Sequence, residues 1–379
     1  MAVKAAFHKS YTLFPSTSIA SGGCVLRNRI RALKSSFKKE VDGYIITNQV
    51  NMLYFTDFLG AAAFLIPKEG DGTLYVFGVN YENAKADAKN CSVELVKRGE
   101  DLAKKILEQI QSRKLKTIGF DTMTFEMYQM FNKTLKNKVK LEPKSEYIWK
   151  LRKVKDDGEL GKIRKAAEIT VEGMQTAHDT IKPGLTEIKV AAEIEYTMRT
   201  RDSYGLAFDT IVASGPRSAY PHGGCGERKL RNGDLVVIDI GATYKCYRAD
   251  MTRTFTVGRP SAKQEKIYSV VKSAQEKAFQ KIYDGVRAAE IDSAARRIIK
   301  RAGYGNYFVH GLGHGVGLEV HEPPVLSSIS KDVLKSGNVV TDEPGVYMAG
   351  FGGVRIEDTV MVEKDKSKRL TEGLYVLKY

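Results

Sequence analysis

The chain has 379 residues, of which 42% are hydrophobic and 28% charged, and its formal net charge is +15 at pH 7. This length exceeds what one hydrophobic core usually supports, so it predicts two domains of ordinary globular composition. No apolar run approaches the roughly 20 residues of a membrane-spanning helix, and the four scattered cysteines form no CxxC pair, which argues against a membrane protein and against a cysteine zinc site.

About half of the excess positive charge lies in residues 1–39, which contain eight Lys or Arg and no Asp or Glu. Such an acid-free segment with Ser and Thr is typical of a flexible tail or a transit peptide, so we treat residues 1–24 as an extension outside the folded domains. We expect a cytoplasmic protein, or an organellar one if this segment is a transit peptide. The other charges lie on mixed-sign helices without a recognition motif, which predicts no nucleic-acid partner.

Residues 25–146 predict a small α/β domain, because helical and strand patterns alternate along them. The segments with helical spacing are VLRNRIRALKSSFKKE, DLAKKILEQI and FEMYQMFNKTL. The segments with strand character are VDGYIITNQVNMLYFTDF, GTLYVFGV and KTIGFD. A charged stretch with a proline and the only tryptophan, LEPKSEYIWKLRKVKDD, marks the boundary to a second domain over residues 147–379.

The second domain shows a weak internal repeat. A long helix over residues 156–181 is followed by KPG and by a second helix, EIKVAAEIEYTMRTR, with Thr186 as its N-cap. After Pro260 the same order returns, with the long helix AKQEKIYSVVKSAQEKAFQKIY, then Gly285, then the helix AAEIDSAARRIIKRA. Each helix pair leads into strands, so the sequence predicts two similar halves with a site between them.

Two aspartates, eleven residues apart, lie in a predicted hairpin of the first half, DLVVIDIGATYKCYRADMTRTFTVG. On paired antiparallel strands, Asp239 and Asp250 can face each other with their Cβ atoms about 5 Å apart. Carboxylates that close repel each other, and one takes up a proton unless a cation separates them. Taken alone, the pair also fits an Asx turn and a surface charge.

Two glutamates lie in a further predicted pair of strands, VVTDEPGVYMAGFGGVRIEDTVMV. Glu343 precedes Pro-Gly at a strand end, and Glu357 lies among apolar residues. Buried carboxylates without partners cost several kcal/mol each. Arg355 alone cannot neutralise four acids, whereas a divalent cation can.

His314 completes this set from the Gly-rich stretch HGLGHGVGLEVHEPP, which contains three of the six histidines. Four carboxylates and one imidazole suit Mn²⁺, Co²⁺ or Mg²⁺, with Zn²⁺ as an alternative, and lack the thiolates of a structural zinc site. Five ligands are many for one catalytic ion that must keep a position open. If two carboxylates bridge, the set fits two metal ions about 3.5–4 Å apart.

The order Asp, Asp, His, Glu, Glu within the motifs DIG, ADMTRTF, HGLGHGVG, EPGVY and GGVRIED resembles the pita-bread metallopeptidase superfamily of prolidase, aminopeptidase P, methionine aminopeptidase and creatinase. The likeness extends from about Tyr147 to the C-terminus. NMLYFTDF and the pattern of residues 25–145 also resemble the N-terminal domain of the prolidase, aminopeptidase P and creatinase branches. The resemblance implies an α+β fold, in which a smaller α/β creatinase-type domain precedes a pita-bread domain of two pseudo-repeated halves around a curved antiparallel sheet.

The resemblance also implies how the ligands divide between two divalent metal ions per chain, manganese or cobalt before zinc. Asp239 would bind the first ion, and His314 with Glu343 would bind the second. Asp250 and Glu357 would bridge the two.

Further residues acquire catalytic or substrate-binding roles from the resemblance. Glu343 would shuttle a proton, while His321 and His222 would stabilise the reacting carbonyl oxygen. A structural hydrogen bond in a Gly-rich turn explains His310 as well as a role near the substrate does. The implied substrate-binding residues are His222, His310, His321 and Arg355.

The activity implied is hydrolysis of the Xaa-Pro bond in dipeptides or short peptides by a homodimer. An aminopeptidase P-like enzyme for longer Xaa-Pro peptides is the alternative, because Val325 stands where prolidases often carry an arginine suited to a substrate carboxylate. Asp342 is a second departure, since the family usually has an apolar residue there, and its charge would alter packing or metal affinity. A non-catalytic binding homologue is the remaining hypothesis, but such relatives typically lose ligands that this chain retains.

Overall fold

A computed structural model describes residues 21–38, 40–135 and 138–377. The chain divides into two compact units, Met1–Ile148 and Trp149–Tyr379. Most of the predicted extension lies outside the described residues, and the first helix begins at Ser21. Among the helices that are described, none combines the length and the apolar character that crossing a bilayer requires.

The first unit is a mixed sheet with helices. Its strands are β1 (Gly43–Ile46), β2 (Ala63–Pro67), β3 (Thr73–Phe77), β4 (Ser92–Val96), β5 (Thr117–Phe120) and β6 (Lys140–Pro143). They are ordered β4-β3-β2-β1-β5-β6, with β1 antiparallel to β2 and parallel to β5. The helices are α1 (Ser21–Ser36), α2 (Gln49–Thr56), α3 (Gly78–Asp87), α4 (Leu102–Ser112), α5 (Phe125–Leu135) and α6 (Ser145–Arg152), the last of which contains the boundary.

One predicted strand of this unit is wrong in its second half. VDGYIITNQVNMLYFTDF forms the short strand β1 and then the helix α2. Asn48 starts the helix, because its side chain accepts hydrogen bonds from the backbone N–H groups of Val50 and Asn51. Met52 and Phe55 are both fully buried, and their spacing of three is helical. Aromatic residues with a strand preference hid that period in the sequence.

The second unit combines two pairs of helices with antiparallel strands. The helices are α7 (Asp157–Thr180), α8 (Glu187–Thr200), α9 (Ala262–Phe279) and α10 (Ala288–Arg301). The strands of its first half are β7 (Gly205–Leu206), β8 (Ile211–Ser214), β9 (Leu235–Ile240), β10 (Ala242–Tyr244), β11 (Tyr247–Arg248) and β12 (Met251–Thr256). Those of its second half are β13 (Gly313–Gly315), β14 (Glu322–Leu326), β15 (Val339–Asp342), β16 (Gly345–Met348), β17 (Gly352–Arg355), β18 (Asp358–Val362) and β19 (Ser367–Arg369). This mixture of helices and sheets confirms the predicted α+β class.

The two halves repeat each other in detail. Gly184 follows α7 with φ +90°, and Gly285 follows α9 with φ +86°, a backbone conformation that favours glycine. The N–H group of Gly184 donates to the carbonyl of Leu230, and that of Gly285 donates to the carbonyl of Leu334. Next to these bonds lie two equivalent isolated bridges, Thr186–Lys229 and Arg287–Val333.

The strand β9 lies between β8 and β12 in a three-stranded antiparallel sheet. Asp239 on β9 is directly opposite Thr252 on β12, and Asp250 comes just before that strand. The prediction that the two aspartates face each other directly is therefore wrong by two residues. The chain between them forms its own small hairpin, β10 with β11, which continues the same register, so the turn at Lys245 and Cys246 places Asp239 opposite Thr252 and not opposite Asp250.

Candidate metal centre and its cavity

A cavity of about 810 Å³ in the second unit is lined by every residue that the sequence analysis assigned to the site. Both halves contribute to it. The candidate ligands in its wall are Asp239, Asp250, His314, Glu343 and Glu357, and the candidate substrate-binding residues are His222, His310, His321 and Arg355.

The two aspartates come from buried strand ends of the first half. All six residues of β9 are buried, so the chain fixes Asp239 within an apolar strand. Its Oδ2 atom accepts a hydrogen bond of 2.6 Å from Nη2 of Arg355. Its Oδ1 atom, like Oδ1 of Asp250, is buried without a hydrogen-bond partner among the described residues.

The remaining three candidate ligands lie on or directly next to strands of the second half. His314 is in β13, Glu343 directly follows β15, and Glu357 directly precedes β18. Nδ1 of His314 donates to the carbonyl of Gly315 at 3.1 Å, which leaves Nε2 to face the acids. That Nε2 atom lies 3.3 Å from Oε1 of Glu343 and 3.7 Å from Oδ2 of Asp250.

Two glycines beside His314 allow this packing. A Cβ atom at Gly313 would lie 2.2 Å from the carbonyl oxygen of Thr341, and one at Gly315 would lie 2.5 Å from that of Glu322. No side chain fits at either position, because the obstacles are backbone atoms. Part of the glycine content of HGLGHGVG is therefore steric: it lets β13 fit closely between β14 and β15.

The acids perturb one another's titration. Burial, followed by the charges of neighbouring acids, raises the pKa of Asp250 and the pKa of Glu357 well above their usual values. Burial would also raise the pKa of Glu343, but the hydrogen bond and charge of His314 outweigh it and lower that pKa. Protein groups alone thus leave Asp250 and Glu357 without enough positive charge nearby.

These residues fit a divalent cation. Asp250, His314 and Glu357 each offer one ligand atom, and these atoms lie within 4.8 Å of one another. Oε2 of Glu357 accepts a hydrogen bond of 2.5 Å from Thr252, whereas its Oε1 is buried without a partner among the described residues. Buried carboxylate oxygens that no donor satisfies, next to an imidazole nitrogen, form the kind of donor set that divalent metals bind.

The histidines of the cavity fall into two groups. His222 and His321 are exposed to the cavity, and the ring of His321 packs edge-on against that of His314 at 4.2 Å. Burial, together with the charge of His314, lowers the pKa of His321. His310 instead uses both ring nitrogens: Nδ1 donates to the carbonyl of Gly311 at 2.7 Å, and Nε2 lies 3.0 Å from the hydroxyl of Tyr347.

Arg355 lies in the cavity wall but is tied to other side chains. Its Nη1 donates to the hydroxyl of Tyr347 at 2.9 Å, its Nε donates to Thr252 at 3.0 Å, and its Nη2 donates to Asp239. A hydrogen-bonded chain therefore runs from His310 through Tyr347 and Arg355 to a candidate metal ligand. The sequence did not identify Tyr347 and Thr252 as residues of the site. The only available signal was that Thr252 follows Asp250 by two, the period of one strand face.

The two departures from the family pattern lie in different surroundings. Val325 is the direct cross-strand partner of His314 and is 46% exposed in the cavity wall. Asp342 is fully buried, pairs with Asp358 across β15 and β18, and has no hydrogen-bond partner for its carboxylate among the described residues. Burial and then the charge of Asp358 raise its pKa well above the usual value.

A buried ion cluster anchors the chain next to His321. The carboxylate of Glu322 forms ion pairs with Nζ of Lys155 at 2.8 Å and with Nη2 of Arg152 at 2.6 Å, and this side chain is 1% exposed. Arg152 also lies 2.8 Å from Glu319. The loop that carries His321 is therefore held by charges from the segment that opens the second unit.

Comparison with known proteins gives two family matches. Residues 161–364 match metallopeptidase family M24, and residues 29–154 match the creatinase/prolidase N-terminal domain. The Xaa-Pro dipeptidase of Pyrococcus furiosus is 42% identical over 352 residues, which cover 92% of this chain and 98% of that protein.

Two solved structures share the fold. The Xaa-Pro dipeptidase from Bacillus anthracis superposes with a TM-score of 0.89 at 35% identity, covering 93% of this chain and 99% of that one. The X-Pro aminopeptidase from Thermotoga maritima superposes with a TM-score of 0.83 at 34% identity, covering 91% of this chain and 99% of that one.

Proposed function

Because the chain belongs to metallopeptidase family M24, we propose that it is a dinuclear metal-dependent peptidase that hydrolyses the Xaa-Pro bond of dipeptides or short peptides. The observation that carries this proposal is the meeting of five metal-ligand side chains in one cavity, three of which have buried oxygens without partners among the described residues.

We assign the ligands as the resemblance to the family implies. Asp239 would hold the first ion, His314 and Glu343 the second, and Asp250 and Glu357 both. When bound, such a pair of ions lowers the pKa of water towards neutrality and polarises a peptide carbonyl.

The other steps belong to side chains of this protein. Glu343 would take the proton of the attacking water and deliver it to the leaving nitrogen of proline. His321 and His222 would donate hydrogen bonds to the oxygen that gains charge during attack. The scissile nitrogen of an Xaa-Pro bond carries no hydrogen, so a dedicated cavity is needed where other peptidases use that N–H group. His310 and Arg355 would act indirectly, by holding Asp239.

Hydrolysis of Leu-Pro and Leu-Pro-Ala by the metal-stripped chain, before and after addition of Mn²⁺, tests this function. We expect activity only with metal, and none in Asp250→Asn. Glu193→Gln removes the same charge from an exposed position of α8 and should retain activity. Cleavage of Met-Ala-Ser but of no prolyl peptide would contradict the assignment, and metal binding without hydrolysis would support a binding homologue instead.

An aminopeptidase P-like preference for longer peptides is the second candidate, and the surroundings of Val325 favour it. A dipeptide brings a free carboxylate into the cavity, yet the donors of Arg355 are engaged and the described lining contains no lysine. Leu-Pro-Ala should therefore be cleaved faster than Leu-Pro. Val325→Arg should raise the relative rate for Leu-Pro, while Val325→Gln should not.

We also propose manganese or cobalt as the native metal, a homodimer, and a cytoplasmic location. Acid and imidazole ligands without thiolates suit these metals. Cys91 and Cys225 are free thiols, the form that a reducing compartment maintains. Metal analysis of the purified protein, light scattering and cell fractionation test the three points separately.

A further inference from the structure

Among the described residues that line the cavity, the charged side chains other than the candidate ligands are Asp209 and Arg355. The guanidinium of Arg355 already donates hydrogen bonds to Asp239, Thr252 and Tyr347. Asp209 is exposed and makes no hydrogen bond or ion pair with any described residue. One charge in the wall, a negative one, therefore remains available to a substrate.

Asp209 lies on the same wall as the first candidate ligand. Ile211 on β8 is directly opposite Asp239 on β9. Asp209 lies in the non-strand segment directly before β8, and Phe208, Asp209 and Ile211 all line the cavity. Asp209 and Asp239 are therefore both presented to the cavity from the first half of the second unit.

Acidic side chains lie near this part of the lining. Cys225 follows the lining residue Gly224. Burial raises the pKa of Cys225, and the charges of Glu195, Glu187 and Asp209 raise it further against the opposing effect of Arg217.

Another part of the cavity lining differs in chemistry. It is formed by Val309, Val320 and Val325, and the first and last of these are 65% and 46% exposed. An apolar surface of this kind suits the proline ring, whose burial is favourable and which carries no charge. A substrate whose proline packs against these valines of the second half would have Phe208, Asp209 and Ile211 of the first half available to its Xaa residue.

Resting on the proposed function, we propose that Asp209 determines specificity by binding a positively charged nitrogen of the Xaa residue. That nitrogen belongs either to a lysine or arginine side chain or to the free α-amino group. The enzyme then prefers cationic substrates and disfavours Xaa residues with a carboxylate side chain. Asp209 takes no part in the chemical step, so its effect falls on KM and leaves kcat nearly unchanged.

The test compares kcat/KM of the Mn²⁺-loaded full chain for Lys-Pro-Ala, norleucyl-Pro-Ala and Glu-Pro-Ala at low and high salt. For Asp209→Asn we expect a loss of about two- to fivefold on Lys-Pro-Ala, the size of a solvent-exposed ion pair, which shrinks at high salt. Glu-Pro-Ala should improve in this variant. Asp209→Glu keeps the negative charge and should keep the wild-type order of kcat/KM among the three peptides. Glu193→Gln is the matched charge control.

The outcomes separate the sources of the charge. A loss confined to Lys-Pro-Ala identifies the side-chain nitrogen, and an equal loss on the lysyl and norleucyl peptides identifies the α-amino group. Identical kinetics of wild type and Asp209→Asn on all three peptides overturn the inference while the proposed function stands. If the wild type cleaves no prolyl peptide, the proposed function fails first and the inference fails with it.

Discussion

The shortest hydrogen bond of Arg355, 2.6 Å, joins it to Asp239, so this arginine orients a candidate metal ligand. Partners that hold a ligand from outside typically change metal affinity by about 10- to 100-fold. We expect Arg355→Met to weaken Mn²⁺ binding by a factor in that range, because it frees the aspartate from the orientation that this hydrogen bond gives it, and this loss outweighs the relief of repulsion between the guanidinium and the ion. Isothermal titration calorimetry on metal-stripped protein measures the effect.

Tyr347→Phe serves as the graded comparison for this arginine. It removes one hydroxyl that contacts both His310 and Arg355 but leaves the bond to Asp239 in place. Its loss of affinity should be smaller than that of Arg355→Met. Equal affinities of both variants and the wild type would show that the arginine does not support the ligand.

At the scale of single residues, the sequence identified side chains better than it identified their contacts. Each candidate ligand stands inside its own motif, so its position could be read from the chain. The hydrogen bond between Arg355 and Asp239 joins residues that are 116 positions apart in the sequence. It depends on the packing of β17 against β9 and β12, which no local sequence pattern encodes. The free charge of Asp209 was missed for the same reason.

The helix caps of the second unit allow a test at the scale of elements. Ser261 caps α9 in a capping box with Gln264, whereas Thr186 occupies the N-cap position of α8 without a side-chain cap bond. Ser261→Ala should therefore lower the free energy of unfolding by about 1 kcal/mol. Thr186→Ala should leave it nearly unchanged, since it removes no bond to the helix.

Urea unfolding of both variants, followed by far-ultraviolet circular dichroism, measures this difference. The expectation for Thr186 reverses what its sequence position predicts, because Ser or Thr before a helix usually caps it. A loss at Thr186 as large as at Ser261 would contradict the observed cap geometry.

The ion cluster behind His321 gives a pH-dependent prediction. Burial alone would raise the pKa of Glu322, but the charges of Lys155 and Arg152 outweigh it and hold that pKa below 4.5. A carboxylate with a lowered pKa in the folded state stabilises the fold above its unfolded-state pKa. That contribution is lost as the pH falls through the folded-state value.

Glu322→Gln should therefore be less stable than the wild type by about 3–5 kcal/mol near pH 7, since it breaks the buried ion pair with Lys155 and removes one of the carboxylates beside Arg152, which keeps its contact with Glu319. Below pH 4.5 the difference should shrink, because the wild type loses the same charge by protonation. Urea unfolding from pH 8 to pH 3.5 measures the gap, with the exposed Glu265→Gln as the control. A gap that is constant with pH would rule out the carboxylate as its cause.

The sequence predicted long amphipathic elements best. α7, α9 and α10 begin at or next to their predicted first residues, because caps and periodic apolar positions mark them. α2 was missed, since eight residues give too few turns for a helical period to stand out against aromatic residues. Strand register was not readable either, because it is set by the turn at Lys245 and Cys246, and neither residue type marks a turn with positive φ.

Metal binding couples the candidate site to the stability of the whole molecule. An ion that binds only the folded state stabilises it by about 2.7 kcal/mol when its concentration is 100 times the dissociation constant. We expect Mn²⁺ to raise the unfolding temperature of the metal-stripped protein and EDTA to reverse the rise. Differential scanning fluorimetry measures it, and Asp250→Asn should show little of the shift. A shift of full size in that variant would place the binding ion elsewhere.

The repeated halves meet in the cavity, and each supplies part of the donor set. Asp239 and Asp250 come before the loop at residues 257–261, while the histidine and both glutamates come after it. The halves are joined by contacts as well as by the chain, for example through the mutual hydrogen bonds of Thr254 and Arg355. Cutting the backbone in that loop would give two fragments, neither of which contains all five candidate ligands of the two metal ions. Cation uptake by their mixture would then report noncovalent reassembly of the split protein.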